Sequence, residues 1–355
     1  MRAVRLLVGV AALLLPVGAD AQTGPPLPGP FGPPGPAAPL SARACPTPPA
    51  PVVSLMSEPF YTDRAFSIPD PARVAADRAA AAPLEAFLDA IQRPAERWVA
   101  LRDPAEAACA IALLDAWARG GALTGDFNRQ ANYHRKWTLS GLALTWLALR
   151  DAPAATPERA ARIGAWLGGI GHALRPTYEQ PIPAHVPATV ANNHAAWAGL
   201  AMAAAGVAAC DRALLAAGMA RGEVFLGGVD AEGAHPHELA RGRLATHYHA
   251  FALQAAAGLA RVGAAAGTPL SPAGQAALDR LARFTLAALQ DQTRIAARAG
   301  VAQAAPDQGR APLTMAQGIE VLGLAEALLA PYRPYRSRRL GGNVTLLWAR
   351  PADLR

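Results

Sequence analysis

Apolar residues recur three and four positions apart along most of the chain, which is the spacing of one buried helix face. Alanine and leucine fill these runs, while the alternating β-branched residues typical of strands are nearly missing from the sequence. About ten helices fit the pattern. Because no fixed repeat period indicates a solenoid, the sequence predicts an all-α fold in which paired antiparallel helices wrap into a toroid or barrel.

Several helix starts are marked by a capping side chain followed by proline. This signal occurs at Asp70-Pro71, Asp103-Pro104, Thr156-Pro157 and Ser271-Pro272. Glycine-containing turns at 119–121 and 265–269 separate neighbouring helices. From about Pro59 onward these signals predict a single domain without an internal boundary.

The first 21 residues have the features of an export signal. Arg2 and Arg5 precede an apolar core at 8–15, and Ala19-Asp20-Ala21 is a small-x-small cleavage site. That core is shorter than the roughly 18 apolar residues that span a bilayer, and no later segment is longer. The sequence predicts a periplasmic protein without membrane insertion, whose mature chain begins at Gln22.

Residues 22–51 are rich in proline, glycine and alanine and predict a disordered spacer ahead of a folded domain at 52–355. The chain has 3 cysteines, of which an exported protein can pair two. Cys45 lies in the spacer, Cys109 lies at the start of an apolar helix, and Cys210 lies in an alanine-rich run that suits a buried thiol. We expect a Cys45–Cys109 disulfide, although Cys45–Cys210 or no bridge is also compatible with the sequence.

The formal net charge of +7 suits an anionic partner. Basic residues interleaved with stacking aromatics are missing, so nucleic acid is not the expected partner. The sequence also lacks a Gly-x-Ser-x-Gly elbow, a phosphate loop and a dinucleotide-binding glycine motif.

A small set of polar residues suits the removal of a proton beside a carboxylate, as in a uronate. Such a carboxylate must be neutralised while the neighbouring carbon loses its weakly acidic proton, and Asn193, His194 and Arg241 are suitable donors. Tyr248 can take the proton and return one to a leaving oxygen if nearby cations favour its phenolate. Arg241 and Tyr248 are seven residues apart, which places them on one face if the segment is a single helix.

Each of these residues also has a plainer interpretation. Asn192 and Asn193 could only cap the following helix. Arg241 could be a solvated surface charge, and Tyr248 could be a half-buried core phenol. The joint appearance of these residues with basic and aromatic motifs elsewhere favours a site.

Five motifs in order and at similar spacing resemble the alginate lyase family, which cleaves polymannuronate in the periplasm. They are Leu113-Leu114-Asp115-Ala116-Trp117-Ala118, Arg135-Lys136-Trp137, Asn192-Asn193-His194 with Trp197, Arg241 with Tyr248-His249, and Arg339-Leu340-Gly341-Gly342-Asn343. The resemblance covers roughly residues 45–351. It implies an incomplete α/α toroid with a long substrate cleft and cysteines matching Cys45 and Cys109.

The resemblance also implies roles for individual residues. Asn193, His194 and Arg241 would neutralise the carboxylate at the cleaved linkage, and Tyr248 would be base and then acid. The implied substrate contacts are Arg64, Phe66, Arg135, Trp137, Trp197, His249 and Arg339. The implied protein is a cofactor-free monomer that binds an anionic polysaccharide and leaves a 4,5-unsaturated uronate by β-elimination.

Two departures from the family pattern affect the expected substrate. The lid segment usually carries a basic residue followed directly by tyrosine, but here Arg64 is displaced by one position and Phe66 lacks the hydroxyl. The tyrosine that often lies between Asn-Asn-His and tryptophan is Ala196. A glucuronate-containing exopolysaccharide is therefore a rival to polymannuronate.

Three other functions are less well supported. The pairs His235-x-His237 and His247-x-His249, with Glu232 and Glu238, could bind zinc, but helical residues two apart diverge by about 200°, so we expect no metal. A glycosidase would need two facing carboxylates, for which Asp115, Asp126 and Glu238 are candidates. A non-catalytic polysaccharide-binding or export protein could use the same cleft without turnover.

Overall fold

The structure is a computed structural model that describes residues 25–32, 44–179, 191–306 and 309–349. The predicted export signal lies outside the described residues. The α-helices are α1 Pro71–Leu101, α2 Pro104–Arg119, α3 Arg129–Leu149, α4 Pro157–Tyr178, α5 Asn193–Ala208, α6 Arg212–Gly227, α7 Pro236–Leu239, α8 Ala245–Ala265, α9 Pro272–Gln290, α10 Thr293–Ala299, α11 Gln317–Leu322, α12 Glu326–Leu329 and α13 Val344–Leu347. Two short strands, β1 Arg336–Ser337 and β2 Gly342–Asn343, pair antiparallel.

The four predicted proline-marked helix starts are confirmed. Asp70, Asp103, Thr156 and Ser271 each accept a hydrogen bond from a backbone N–H in the first turn of the helix that follows. Proline occupies the start of each of these helices, where its missing N–H costs no intrahelical hydrogen bond. These helix starts were predictable because each cap residue bonds a backbone N–H only two or three residues away.

The helices pack as neighbouring pairs, including α1 with α2, α5 with α6 and α8 with α9. Helix α5 is the centre of the core, since it also packs against α3, α4 and α8 and nearly all its residues are buried. The close approach of α5 to α6 requires glycine at position 218, because a Cβ added there would lie only 2.4 Å from Ala203 N. The result is the predicted all-α fold, an α/α toroid.

The prediction of a disordered spacer at 22–51 is wrong for the described residues 25–32 and 44–51. Leu27 is 1% exposed, and its carbonyl oxygen accepts a hydrogen bond of 2.7 Å from Arg150 Nη1. The Pro49 carbonyl accepts a hydrogen bond of 2.9 Å from Trp117 Nε1. Because this irregular chain supplies acceptors to donors on the helical body, it packs against that body instead of separating from it.

The predicted disulfide between Cys45 and Cys109 is present, and it joins residues 64 apart in sequence. It attaches the irregular segment at 44–51 to helix α2. Cys210 is a free thiol. Among the described helices, none is long and apolar enough to cross a membrane.

Candidate active site

The start of helix α5 carries two of the predicted site residues. The Asn192 side chain caps this helix by accepting a hydrogen bond of 2.9 Å from the His194 backbone N–H. Asn193 and His194 therefore lie in the first helical turn, where unpaired N–H groups and the helix dipole favour a negative charge. The capping interpretation and the site interpretation are both compatible with this arrangement.

Glu238 of α7 holds Asn193 in one orientation. Its Oε1 accepts a hydrogen bond of 2.6 Å from the Asn193 backbone N–H, and the Asn193 Nδ2 lies 3.1 Å from both carboxylate oxygens. The reverse amide orientation would put Asn193 Oδ1 against the Glu238 carboxylate. Burial raises the pKa of Glu238 to about 7, although the Asn193 hydrogen bonds and the charge of Arg241 oppose the rise.

Arg241 and Tyr248 do not lie on one helix, so that part of the prediction is wrong. Helix α7 ends at Leu239, a 3-10 turn occupies Gly242–Leu244, and α8 begins at Ala245. Gly242 has a φ of 55°, a left-handed conformation that ends the helical path. The two side chains nevertheless meet, because the Arg241 Cζ lies 3.4 Å from the centroid of the Tyr248 ring.

Residues 60–69 form a lid segment over this pair. Arg241 Nε donates a hydrogen bond of 3.0 Å to the Ala65 carbonyl, and its Nη2 donates one of 2.5 Å to the Phe66 carbonyl. The hydroxyl of Tyr61 lies 2.6 Å from the hydroxyl of Tyr248. The lid segment therefore contacts both the predicted cation and the predicted base.

The hydroxyl of Tyr248 titrates above its ordinary range. Burial raises the pKa of Tyr248 most, the charge of Arg241 lowers it by a smaller amount, and the neighbouring hydroxyl of Tyr61 raises it further. The charge of Arg241 lowers the pKa of Tyr248, as expected of a nearby cation, but burial raises this pKa by more. In this arrangement Tyr248 is a neutral phenol.

His194 is surrounded by aromatic rings and one amine. The ring of Tyr133 stacks on it at a centroid distance of 4.0 Å, and the Trp137 ring lies 5.9 Å away. The Lys136 Nζ lies 2.7 Å from His194 Nδ1. Burial, followed by the charges of Lys136 and Arg241, lowers the pKa of His194 well below its ordinary value, so the ring is neutral.

A cleft of about 940 Å³ runs between helix α1 and the segment at 336–343 and includes Trp137 and Arg339 in its lining. The Arg339 guanidinium lies 4.7 Å from the Trp137 ring centroid and 5.2 Å from that of Phe251. Burial lowers the pKa of Arg339 to about 10, which leaves it a cation at neutral pH. Trp137 and Arg339 connect the cleft to His194 on one side and to the Tyr248 environment, through Phe251, on the other.

Several predicted substrate contacts lie elsewhere. Trp197 is fully buried with its ring 5.0 Å from Phe251, so it supports the site from below. His249 is also fully buried, and its ring nitrogens contact the Ala245 carbonyl and the His235 backbone N–H. In this structure neither side chain reaches the surface, and a direct sugar contact at either residue stays a prediction.

The three remaining predicted contacts differ in position. Arg135 is 8% exposed and lies over the Phe127 ring at 4.9 Å, turned away from Tyr133 and Trp137, which share another face of α3. Phe66 and Arg64 are exposed on the lid segment. Phe66 contributes its backbone carbonyl to Arg241, with its ring 49% exposed.

Sequence reasoning missed four residues of this cluster: Tyr61, Tyr133, Lys136 and Glu238. Tyr61 supplies a hydroxyl beside the base although Phe66 has none, and Tyr133 supplies a polar aromatic beside His194 although position 196 is alanine. The sequence indicates Glu238 only as a candidate zinc ligand or hydrolytic acid. It places Lys136 in a motif without indicating a role for it.

The geometry of the described residues does not support zinc binding or hydrolysis by an Asp115–Glu238 pair. Within the described ranges, no group of three or more histidine, cysteine, aspartate or glutamate side chains is placed to hold a metal ion. Asp115 pairs with Arg162 at 2.7 Å and Arg119 at 2.9 Å, while Glu238 faces Asn193. These carboxylates therefore have separate partners instead of facing each other.

The helices form an α/α toroid with a cleft, and the relatives of this chain place it among the polysaccharide lyases. The family model for alginate lyases matches residues 54–295. The chain is 32% identical over 315 residues to a polysaccharide lyase of Stenotrophomonas maltophilia, covering 86% of this chain and 90% of that protein. It is 31% identical over 325 residues to an alginate lyase of Azotobacter vinelandii, covering 86% and 84% of the two chains.

The chain belongs to the alginate lyase family. Among solved structures, alginate lyase A1-III from Sphingomonas species A1 matches with a TM-score of 0.67 at 20% identity, covering 88% of this chain and 87% of that one. A histidine-to-alanine variant of alginate lyase A1-III complexed with a tetrasaccharide gives a TM-score of 0.71 at 20% identity, covering 87% and 86%. At this identity the two structures support the fold.

Proposed function

We propose that this protein is a polysaccharide lyase that cleaves alginate, with polymannuronate as its preferred form, by β-elimination. The observation that carries the proposal is the Arg241 guanidinium stacked on Tyr248, with Asn193 and His194 on the adjoining helix start. This places a potential base among donors suited to a uronate carboxylate. The family relationship and the cleft of about 940 Å³ support a polymeric substrate.

In the proposed reaction, Asn193, His194 and Arg241 hydrogen-bond the carboxylate on C5 and stabilise the charge that develops when C5–H breaks. Tyr248 takes that proton as a phenolate. The electron pair forms the C4=C5 double bond while the C4–O bond breaks, and Tyr248 returns the proton to the leaving oxygen. The product is a 4,5-unsaturated uronate at the new non-reducing end.

The state of Tyr248 imposes a condition on this reaction. Because burial keeps it protonated, Tyr248 must first lose its proton to solvent before it can act as a base, and Arg241 over its ring is the group that stabilises the resulting phenolate. Trp137 and Arg339 are proposed to bind a neighbouring sugar ring and its carboxylate, since both line the cleft. Export to the periplasm and action as a monomer without a cofactor complete the proposal.

The experiment is a set of separate incubations of the purified mature protein with polymannuronate, polyguluronate, polyglucuronate and hyaluronan. Ultraviolet absorbance of the C4=C5 bond conjugated to the carboxylate is followed over time, with Tyr248→Phe as the inactive control. A rise with polymannuronate supports the proposal, and a rise with polyglucuronate alone changes the substrate. Binding of all four without absorbance would favour the non-catalytic alternative.

A further inference from the structure

Lys136 is the only lysine in the chain, since every other residue among the 33 lysines and arginines is an arginine. It is also fully buried, at 0% exposure, in the middle of helix α3. No carboxylate forms an ion pair with it among the described residues. Burying an amine without an opposite charge costs free energy, so the contribution of Lys136 to stability does not explain its presence.

The contacts of the Lys136 amine lead to the proposed active site. Its Nζ donates a hydrogen bond of 2.9 Å to the Tyr178 hydroxyl and lies 2.7 Å from His194 Nδ1. The ring of Tyr133, which stacks on His194, also lies 4.4 Å from Nζ. The buried amine of Lys136 and phenol of Tyr178 thus contact the partly exposed imidazole of His194, and the three side chains come from α3, α4 and α5.

The contact of 2.7 Å between Lys136 Nζ and His194 Nδ1 links the position of the hydrogen on His194 to the state of the amine. An ammonium can only donate, so it requires Nδ1 to accept. A neutral amine can donate to Tyr178 and His194 together, although its lone pair can also accept from an Nδ1–H. When Nδ1 accepts, the hydrogen of the neutral imidazole must lie on Nε2. The described residues provide no hydrogen-bond partner for Nε2, and His194 is partly exposed, so Nε2 is the nitrogen available to a ligand.

We propose that Lys136 is a positioning residue that holds His194 in the Nε2–H tautomer, so that this side chain donates a hydrogen bond to the substrate carboxylate and cannot act as a base. The inference rests on the proposed function, in which His194 neutralises that carboxylate. The opposite tautomer would present a lone pair to an anion and repel it. A lysine suits this position because its single nitrogen is a compact donor, whereas the planar fork of arginine is larger.

The test begins with the native protein in the absence of substrate. Histidine labelled with nitrogen-15 reports by NMR which ring nitrogen of each histidine is protonated, and His194→Gln assigns the His194 signals. We expect an unprotonated Nδ1 and a protonated Nε2 at His194. An Nδ1–H tautomer in the native protein would overturn the proposal, whether or not the protein cleaves a polymer.

Lys136→Met then removes Nζ while keeping a side chain of similar length. We expect His194 to lose its single tautomer and kcat/KM to fall about 100-fold, the scale on which loss of one preorganised donor acts. The matched control is Thr145→Val, which deletes a buried hydrogen bond of 2.7 Å to Gly141 O on the same helix without reaching the site. Its kcat/KM should stay within about three-fold of the native value.

The remaining outcomes separate the two proposals. A Lys136→Met protein with the native tautomer contradicts this inference, whether its activity is lost or retained, and so does an equal loss in Thr145→Val. If Lys136→Met does not fold, the tautomer of the native protein still decides. A native protein that has the Nε2–H tautomer but cleaves none of the four polymers would refute the proposed function and leave the arrangement around Lys136 standing.

Discussion

The Arg241 guanidinium lies over the phenol ring of Tyr248, with its Cζ 3.4 Å from the ring centroid. The same guanidinium donates to two carbonyls of the lid segment. One side chain therefore links the proposed base to the segment that covers it. Loss of the Arg241 side chain should alter both the reaction and the position of the lid segment, whereas loss of the Tyr248 hydroxyl should alter the reaction alone.

Tyr248→Phe should reduce kcat by at least about 1,000-fold while leaving polymannuronate binding within about three-fold, because the ring that stacks on Arg241 stays and the proton carrier goes. The measurement is absorbance-detected turnover together with calorimetric binding of a mannuronate oligomer. A variant that retains a tenth of the native kcat would exclude Tyr248 as the base.

Arg241→Ala should raise KM and lower kcat together, with kcat/KM reduced about 100-fold or more, because the carboxylate is charged in both ground and transition states. It should also increase proteolysis within residues 60–69, since the lid segment loses its contacts with the guanidinium. Arg243→Ala is the matched control, because Arg243 is exposed two residues away. Similar kinetics in the two variants would remove Arg241 from the site.

Tyr61→Phe should move the alkaline-rising limb of the kcat/KM profile to lower pH. The Tyr61 hydroxyl is one of the groups that raise the pKa of Tyr248, after burial, so its removal lowers that pKa and makes the phenolate available earlier. The measurement is the pH profile of the native protein and the variant. Thr62→Val, which loses only a lid hydrogen bond of 3.1 Å to Ile68 O, should keep the native limb.

If the rising limb of kcat/KM moves to higher pH in Tyr61→Phe instead, the Tyr61 hydroxyl helps Tyr248 to lose its proton. That result would contradict the conclusion that Tyr61 raises the pKa of Tyr248. An unchanged limb would mean that Tyr248 does not titrate in this profile.

Glu238→Gln should flatten the pH dependence of stability. The pKa of Glu238 is raised to about 7 from an ordinary value of 4.5, so its stabilising contribution is complete below about pH 4.5 and is lost as the pH rises through about 7. The loss is on the order of 3 kcal/mol between pH 4.5 and 8. Denaturant unfolding at both pH values, with exposed Glu232→Gln as control, should show a smaller drop only in Glu238→Gln.

Breaking the disulfide should destabilise the native state without altering the site. By the loop-entropy estimate, a bridge between residues 64 apart contributes about 4 kcal/mol. Cys45→Ser/Cys109→Ser should therefore unfold at a lower denaturant concentration while its kcat stays within about three-fold of the native value. Equal stability of the two proteins would show that the segment at 44–51 is held by its other contacts.

The predictable parts of this fold are those determined by nearby residues. Asp70, Asp103, Thr156 and Ser271 satisfy N–H groups only two or three residues away, so the sequence alone located four helix starts. The break between Arg241 and Tyr248 was not predictable from apolar spacing, because it depends on the left-handed backbone of Gly242. The two residues still meet, since the turn returns Arg241 to the ring.

Long-range contacts explain what the sequence did not reveal about the site. The hydroxyls of Tyr61 and Tyr248 meet across 187 residues of sequence, and Asn193 meets Glu238 across 45. No local pattern reports either pair. The burial of His249 and Trp197 was not predictable from their motifs, because neighbouring positions in a motif need not face the same side of a helix.

The buried position of Lys136 also closes the one lysine side chain of this protein to amine chemistry in the folded state. An acyl group can reach the Lys136 amine only when helix α3 is opened to solvent. The rate of acylation at Lys136, measured by mass spectrometry of the peptide that contains it, therefore reports how often the protein opens around its proposed active site.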